Sequence, residues 1–221
     1  MRRFYDVFKD IKFSPLARTL SWSHYMELLP LKDVNTINYY ISISNTFNLT
    51  KRELRERIKS KEYERLPNNT KDKLIRNEKL EVIDSIPNPI VLKKDCDYEK
   101  ITELLIKEMI LKNMNSFLKQ LGKGFDYIGN EYKIKLDNYN YIDILLYNVI
   151  YKCYVVVELK ATKLKKDHIG QIETYMGYVD KIIRNSNDNE TLGIILCKKG
   201  NKYITEYCSN KKIFEREYII L

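Results

Sequence analysis

The sequence is poor in the residues that build several common kinds of functional site. Its 221 residues include only two histidines and four cysteines, and the cysteines have no CxxC or other zinc-ligand spacing. No run approaches the roughly 18 uninterrupted apolar residues of a membrane helix, and the start lacks the apolar core of a secretory signal. We therefore expect a reduced, cytoplasmic protein with no membrane partner. An HNH nuclease or a Ser-His-Asp hydrolase is disfavoured by the scarcity of histidine.

Negative charge is also in deficit. Lysine and arginine total 39 against 30 acidic residues, which gives a net charge of +9 and a pI near 9.1. Such an excess favours a polyanionic partner such as nucleic acid, although it says nothing about the fold.

Two short apolar runs stand out in the second half of the chain. Ile142–Tyr147 and Cys153–Leu159 are rich in Ile, Val, Leu and Tyr and too short for helices, so they predict strands. The few residues between them suit an antiparallel hairpin. A loop centred on Ile150–Tyr151 would set Asp143 directly across from Glu158, where the two side chains share a face.

This juxtaposition predicts a metal site. Two carboxylates about 4 Å apart repel each other by about 4 kcal/mol at an effective dielectric near 20, and a hard divalent cation converts that repulsion into binding. Lys160, two residues past Glu158, points to the same side and could hold a water or neutralise a transition-state charge. The alternative is the solvated face of a half-buried sheet. Val155, Val156 and Val157 argue against it, because they indicate a strand buried on both faces.

An ordered set of motifs resembles the YhcG-type nuclease family of the PD-(D/E)xK superfamily. It covers nearly the whole chain and comprises LSWSHY (Leu20–Tyr25), LGKGF (Leu121–Phe125), YIDILLY (Tyr141–Tyr147), VVELK (Val156–Lys160), GQIETYM (Gly170–Met176) and LGIILCK (Leu192–Lys198). The resemblance implies an α/β (α+β) fold with a restriction-endonuclease-like mixed sheet flanked by helices. It also implies a Mg²⁺- or Mn²⁺-dependent deoxyribonuclease acting in DNA repair, recombination or defence against foreign DNA.

The resemblance also implies roles for individual residues. Asp143 and Glu158 would bind the metal with the Leu159 carbonyl, and Lys160 would position the attacking water. Gln171 and Tyr175, four apart on one helix face, would support the site. An acidic residue of the preceding helix would reach the metal, with Glu108 the nearest candidate and Glu103 behind it.

Turn-rich, proline-containing sequence around residues 84–97 predicts a linker between a helical domain, 1–83, and the nuclease domain, 98–221. In the first domain, Asp33 is an expected cap of a helix through Phe47. The capping box Thr50–Glu53 opens a basic helix through Leu66. Arg52 and Arg55 on this helix are candidate DNA contacts. Compared with the family, the domain is expected to be shortened at its amino terminus.

In the second domain we expect a helix over 98–121, a strand over 127–136, a helix over 167–185 and a strand over 191–198. Lys163, Lys165 and Lys166 form a basic loop beside the expected metal site, where phosphate contacts would be needed. A solvated loop is the alternative.

Two other functions remain open: a non-catalytic nucleic-acid-binding module that keeps the fold, and an assembly protein whose helical half recruits partners. The three intact site residues favour the enzyme. Cleavage of duplex or branched DNA would favour a homodimer.

Overall fold

The computed structural model describes residues 20–76, 78, 84, 86–94, 100–206 and 208–221. The chain forms two compact units that divide between Asp84 and Ser85. The expected shortened amino terminus, Cys96 and the expected helix start at Tyr98 lie outside the described residues. Within the described residues, no helix is long and apolar enough to cross a membrane.

The amino-terminal unit is helical, as predicted. Its helices surround buried apolar side chains that include Leu28, Ile37, Tyr40 and Leu54. The described helices are α1 (Trp22–Leu28), α2 (Val34–Phe47), α3 (Lys51–Lys59) and α4 (Asn68–Ile75).

Both predicted helix caps of this unit are confirmed. The Asp33 carboxylate accepts a hydrogen bond from the backbone N–H of Thr36 at 2.7 Å. The Thr50 hydroxyl accepts one from the N–H of Glu53, and the Glu53 carboxylate accepts one from the N–H of Thr50. Each cap satisfies backbone donors that the first turn of a helix leaves free.

The basic helix α3 is shorter than predicted. It ends at Lys59 instead of Leu66, and Lys61 just beyond it has a left-handed backbone with φ of 52°. The turn allows Tyr63 and Leu66 to be buried in the core of the unit. Burial of these side chains therefore outweighs continuation of the helix.

The carboxy-terminal unit is built on a mixed sheet, to which the described residues contribute six strands. They are β1 (Ile90–Leu92), β2 (Phe125–Lys135), β3 (Tyr139–Asn148), β4 (Cys153–Lys163), β5 (Asn189–Lys199) and β6 (Ile213–Ile220). Their order in the sheet is β1-β6-β5-β4-β3-β2. Strands β2, β3 and β4 are antiparallel neighbours, while β4, β5, β6 and β1 run parallel. The predicted mixed sheet is confirmed.

The segment 84–97, expected to be a linker, contains the edge strand β1. Ile90 pairs with Tyr218 of β6, and Gln120 bonds to both backbone groups of Val91 through its side-chain amide. Ile90 and Leu92 are buried. The sheet thus begins within this segment.

Helices flank the sheet, but the long helix expected over 98–121 is two helices. They meet at Asn113, whose backbone N–H is shared between the carbonyls of Met109 and Ile110, and whose side chain also bonds Met109. This competition with regular helix bonding accounts for the break. The helices are α5 (Glu103–Lys112), α6 (Met114–Leu121), α7 (Lys166–Tyr178), a π-helical turn (Val179–Ile183) and α8 (Lys202–Glu206).

Helix α7 lies close against the sheet. Its Ile172 and Met176 belong to one buried cluster with Val156 of β4 and Ile195 of β5. Gly193 of β5 permits this approach, because a Cβ there would lie 2.6 Å from the Met176 sulfur. The crossover from β4 through α7 to β5 therefore fixes the position of the strand that carries Glu158 and Lys160.

Candidate active site

The sheet forks between β3 and β4. The two strands are paired from Asn148 and Cys153 as far as Ile144 and Val157. Beyond that point β3 continues to pair with β2, as far as Tyr139, while β4 continues to pair with β5. The opening between the two strand pairs is called the fork below.

Asp143 and Glu158 lie at the base of the fork. The register of Ile144 with Val157, continued by one residue, sets Asp143 opposite Glu158. The predicted loop centre at Ile150–Tyr151 is therefore confirmed. In place of a further ladder bond, the Asp143 Oδ2 atom accepts a hydrogen bond from the backbone N–H of Leu159 at 3.0 Å.

Glu158 and Lys160 form a buried ion pair beside Asp143. The Lys160 Nζ atom lies 2.8 Å from the Glu158 Oε1 atom, and the two residues are only 8% and 2% exposed. They lie two apart on β4, so both side chains project from the same face. The interior position inferred from the valine run is also where the structure places them.

The second carboxylate oxygen of Glu158 is buried and, within the described residues, has no hydrogen-bond partner. Burial, reinforced by the nearby charge of Asp143, raises the pKa of Glu158 to about 7, although Lys160 opposes the shift. A buried carboxylate oxygen without a donor is costly. Such an oxygen fits a bound cation.

Lys160 remains a cation in this setting. Burial acts to lower its pKa, but the hydrogen bond and charge of Glu158, together with the charges of Glu103 and Asp143, outweigh burial, and the pKa is raised. Lys160 therefore presents an ammonium group, which can donate hydrogen bonds to a water or an anionic oxygen.

Helix α5 brings two further charged side chains to the site. The Lys107 Nζ atom lies 3.5 Å from the Asp143 Oδ1 atom and 2.9 Å from the Glu131 Oε1 atom. The Glu103 carboxylate accepts a hydrogen bond from the N–H of Ala161 at 3.4 Å, and its charge contributes to the raised pKa of Glu158. Glu103 and Lys107 are four apart and share one face of α5.

Glu108, the acidic residue preferred from the sequence, is solvent-exposed, as Glu103 is, so position around the helix decides which of them reaches β4. It lies five residues from Glu103, which places it about 140° around the helix from Glu103. Glu103 is thus the α5 carboxylate that the structure brings to β4.

The donors at the fork suit a hard cation. Within the described residues, no group of three or more His, Cys, Asp or Glu side chains is arranged to hold a metal. Two carboxylates are nevertheless enough for Mg²⁺, which commonly keeps several waters and binds substrate phosphate oxygens. The N–H and C=O of a strand residue point toward the same neighbouring strand, so the Leu159 carbonyl also points into the fork.

A protein-family comparison decides what kind of domain this is. The model described as the YhcG PDDEXK nuclease domain matches residues 90–220, which is more than half of the chain and contains the whole fork. The chain belongs to this nuclease-domain family. A second model, the DUF1016 N-terminal domain, matches residues 1–65. The predicted resemblance to the YhcG-type family and the restriction-endonuclease-like fold are confirmed.

Individual relatives are more distant. The chain is 24% identical to "Putative nuclease YhcG" of Escherichia coli (strain K12) over 197 residues, which cover 86% of this chain and 52% of that protein. It therefore spans about half the length of this curated relative. Two solved structures are similar at a TM-score of 0.38. They are a repair endonuclease from Pyrococcus abyssi, 16% identical over 57% of this chain and 49% of that chain, and an EndoMS–dsDNA complex, 18% identical over 58% and 49%.

The glutamine and tyrosine that the family resemblance singled out bond to each other. On α7 of the YhcG nuclease domain, the Gln171 Nε2 atom donates to the Tyr175 hydroxyl at 3.1 Å, and Tyr175 is buried against the sheet.

His168, one turn before Gln171 on α7, accepts a hydrogen bond from the backbone N–H of Lys165 through its Nδ1 atom. Burial and the charge of Lys160 lower the His168 pKa, which favours neutral imidazole.

The expected nucleic-acid contacts fall into two groups. Lys163, Lys165 and Lys166 are exposed at the end of β4 and the start of α7. In the amino-terminal unit, Arg55 makes two hydrogen bonds to the Glu27 carboxylate at 2.7 and 2.9 Å, and Arg52 pairs with Glu56 at 3.3 Å. The two arginine charges are thus partly neutralised within the unit, whereas the three lysines extend from the strand of the YhcG nuclease domain that carries Lys160.

The sequence-based prediction did not include Lys107. The available signal was its spacing from Glu103, since residues four apart on a helix share a face. It also passed over Glu131, which lies on β2 and pairs with Lys107.

Proposed function

We propose that the chain is a divalent-metal-dependent nuclease that hydrolyses DNA phosphodiester bonds at the fork. The observation that carries this proposal is the buried Glu158 oxygen, which accepts no hydrogen bond from the described residues and is set across from Asp143 and beside Lys160. A purely structural ion pair would gain by satisfying that oxygen.

In this proposal Asp143, Glu158 and the Leu159 carbonyl hold Mg²⁺ or Mn²⁺. When bound, the cation would lower the pKa of the attacking water and offset negative charge on the phosphate and on the departing 3′ oxygen. The Lys160 ammonium donates a hydrogen bond to the attacking water and positions it. The water oxygen bonds to phosphorus as the bond to the 3′ oxygen breaks; the water gives up its proton to solvent, and the 3′ oxygen takes a proton from solvent as it leaves.

The surrounding residues have supporting roles in the proposal. Glu103, rather than Glu108, is the α5 carboxylate placed to orient waters near the cation. Gln171 and Tyr175 hold α7 against the strand that carries Glu158. The exposed Lys163, Lys165 and Lys166 contact phosphates, which fits the basic balance of the chain. A role in DNA repair, recombination or defence would be consistent with this activity.

The test is cleavage of labelled single-stranded, duplex and branched DNA by the purified chain with Mg²⁺, Mn²⁺ or EDTA. Asp143→Ala and Lys160→Ala are expected to abolish metal-dependent cleavage. Asp126→Ala is the matched control, because Asp126 is an exposed acidic residue paired with Tyr147, at the other end of the β2–β3 ladder. Binding without cleavage of any form would overturn the proposal and favour a non-catalytic binding module.

A further inference from the structure

Beyond the fork, β2 and β3 continue as a two-stranded arm. Tyr132 pairs with Ile142, and the pairing runs on through Lys135 with Tyr139 to a short connection at residues 136–138. The residues from Tyr132 to Ile142 are called the β2–β3 arm below. It begins next to Asp143, so its exposed surface is continuous with the candidate active site.

The two faces of the arm differ in composition. One face carries Ile134 and Ile142, which are fully buried in the cluster that includes Ile172 of α7. The opposite face carries only exposed residues. The register sets Lys133 opposite Tyr141 and Lys135 opposite Tyr139, so these side chains share that face. Lys133, Lys135, Tyr139 and Tyr141 are called the tyrosine face.

The tyrosine face is unusual for a solvated strand surface. Tyr139 and Tyr141 are 59% and 51% exposed, so more than half of each large side chain meets solvent. The Lys133 Nζ atom lies 3.7 Å from the centre of the Tyr139 ring, a cation–π arrangement that holds a positive charge at the ring. Aromatic rings interleaved with lysines are the combination that binds single strands.

The tyrosine face leads directly to the fork. Tyr141 is two residues from Asp143 on β3, so the two side chains project from the same face, about 7 Å apart along the strand. Glu131, next to the start of the arm on β2, has its charge paired with Lys107. The charged residues of the tyrosine face itself are the two lysines, which complement a polyanion.

We infer that the tyrosine face binds an unpaired stretch of DNA adjacent to the scissile phosphate. This inference rests on the proposed nuclease function and names its substrate class. Tyr139 and Tyr141 stack on exposed bases, while Lys133 and Lys135 contact the phosphates between them. Bases of an intact duplex are stacked on one another and offer no free face to either ring. The chain accordingly acts on DNA with a single-stranded segment, such as a single strand or a branched end.

The first test compares DNA affinities by fluorescence anisotropy in EDTA, where cleavage is prevented. We expect Tyr139→Leu/Tyr141→Leu to weaken binding of a labelled single-stranded oligonucleotide by about tenfold or more. Tyr139→Phe/Tyr141→Phe retains the rings and should bind within about twofold of wild type. Tyr203→Leu is the control, since Tyr203 is a 76% exposed tyrosine on α8, outside the arm. Equal affinity of the leucine variant and wild type would overturn the inference.

Lys133 and Lys135 can be tested separately through the salt dependence of DNA binding. Lys133→Gln/Lys135→Gln should reduce the slope of log affinity against log salt for a single strand by about 1.4, because each lost phosphate contact contributes about 0.7. An unchanged slope would mean that the two lysines do not contact the DNA phosphates.

The oligomeric state is a further check. If Tyr139→Leu/Tyr141→Leu changes the sedimentation coefficient of the free protein but not its DNA affinity, the tyrosine face is instead an interface between copies of the chain.

Binding and cleavage distinguish the two proposals. If wild type cleaves DNA and the leucine variant shows the same preference among single-stranded, branched and duplex forms, the arm inference fails and the nuclease remains. If wild type cleaves no DNA but the tyrosines govern single-strand affinity, the nuclease fails and the binding surface remains.

Discussion

The Oδ2 atom of Asp143 accepts the backbone N–H of Leu159 at 3.0 Å, across the point where β3 and β4 part. The last ladder pair is Ile144 with Val157, so this side-chain bond takes the place of the next backbone bond. One carboxylate oxygen of Asp143 is thus occupied by the fold, and the other, Oδ1, lies 3.5 Å from the Lys107 ammonium. Asp143 therefore has a structural role through Oδ2 and a proposed metal-binding role through its charge, and substitutions can remove one role without the other.

We predict that Asp143→Asn retains the fold and loses cleavage. The amide oxygen of asparagine can still accept the Leu159 N–H, but the negative charge for the cation is gone. Metal-dependent cleavage should fall by at least about 100-fold, while the free energy of unfolding in EDTA stays within about 1 kcal/mol of wild type. Asp143→Ala loses both functions and should also be less stable. Urea unfolding and cleavage assays on the two variants check this; residual cleavage near wild type in Asp143→Asn would contradict it.

Glu158 should make the stability of the metal-free protein depend on pH. Its pKa is raised from 4.5 to about 7, so the folded protein binds this proton more tightly than the unfolded chain does. The associated stabilisation is present below pH 4.5 and is lost as the pH rises to about 7, a change of up to about 3 kcal/mol. Urea unfolding in EDTA from pH 4.5 to 8 should show this decline. Glu158→Gln cannot titrate, so its stability should not show this decline. Parallel pH profiles for Glu158→Gln and wild type would contradict the raised pKa of Glu158.

The same carboxyl should couple metal binding to pH. A cation at the fork requires ionised Glu158, so binding must displace the proton that the buried group holds below about pH 7. The increase in melting temperature caused by Mn²⁺ should therefore be larger at pH 8 than at pH 6. Adding excess EDTA should remove the increase at both pH values. An increase that is independent of pH, or that persists in Glu158→Gln, would place the metal elsewhere.

Lys107 is expected to weaken metal binding in the free protein. Its ammonium lies beside the Asp143 oxygen that would face a cation, and two like charges in one site repel. Lys107→Gln should bind Mn²⁺ more tightly by about tenfold at most, measured by isothermal titration calorimetry. Lys107→Arg keeps the charge and should match wild type. A weaker affinity in Lys107→Gln would show that Lys107 instead holds Asp143 in a metal-binding position.

The hairpin register could be predicted from sequence because the loop between β3 and β4 is short. A loop centred on Ile150–Tyr151 leaves one pairing that buries the valines of β4, and it sets Asp143 across from Glu158. The helix caps at Asp33 and Thr50 were equally local. Each of these features depends on residues close together in the chain.

The features that the sequence did not reveal depend on contacts between distant segments. Which α5 carboxylate approaches β4 is set by the rotation of the helix against the sheet, so Glu103 and not Glu108 contacts Ala161. Strand β1 was not predicted, because it lies in a proline-containing segment and is formed by pairing with β6, which is distant in the chain. The tyrosine face could not be predicted, because it depends on which residues of β2 and β3 lie opposite each other.

The Gln171–Tyr175 pair is expected to act on stability more than on chemistry. Gln171 donates to the Tyr175 hydroxyl at 3.1 Å, and Tyr175 is buried with Ile172 and Met176 against the sheet. Tyr175→Phe leaves the ring in place and removes the hydroxyl, so it should lower the free energy of unfolding by about 1 kcal/mol.

If the pair only holds α7 in position, Tyr175→Phe should change the kcat for DNA cleavage by less than about fivefold, with KM unchanged. Gln171→Ala should behave similarly, and the double variant should cost less stability than the sum of the two, because both changes remove the same hydrogen bond. Tyr178→Phe, on the same helix, is the control for loss of a tyrosine hydroxyl. A fall in kcat of about 100-fold without loss of stability would instead mean that the tyrosine hydroxyl or the glutamine amide contacts the substrate.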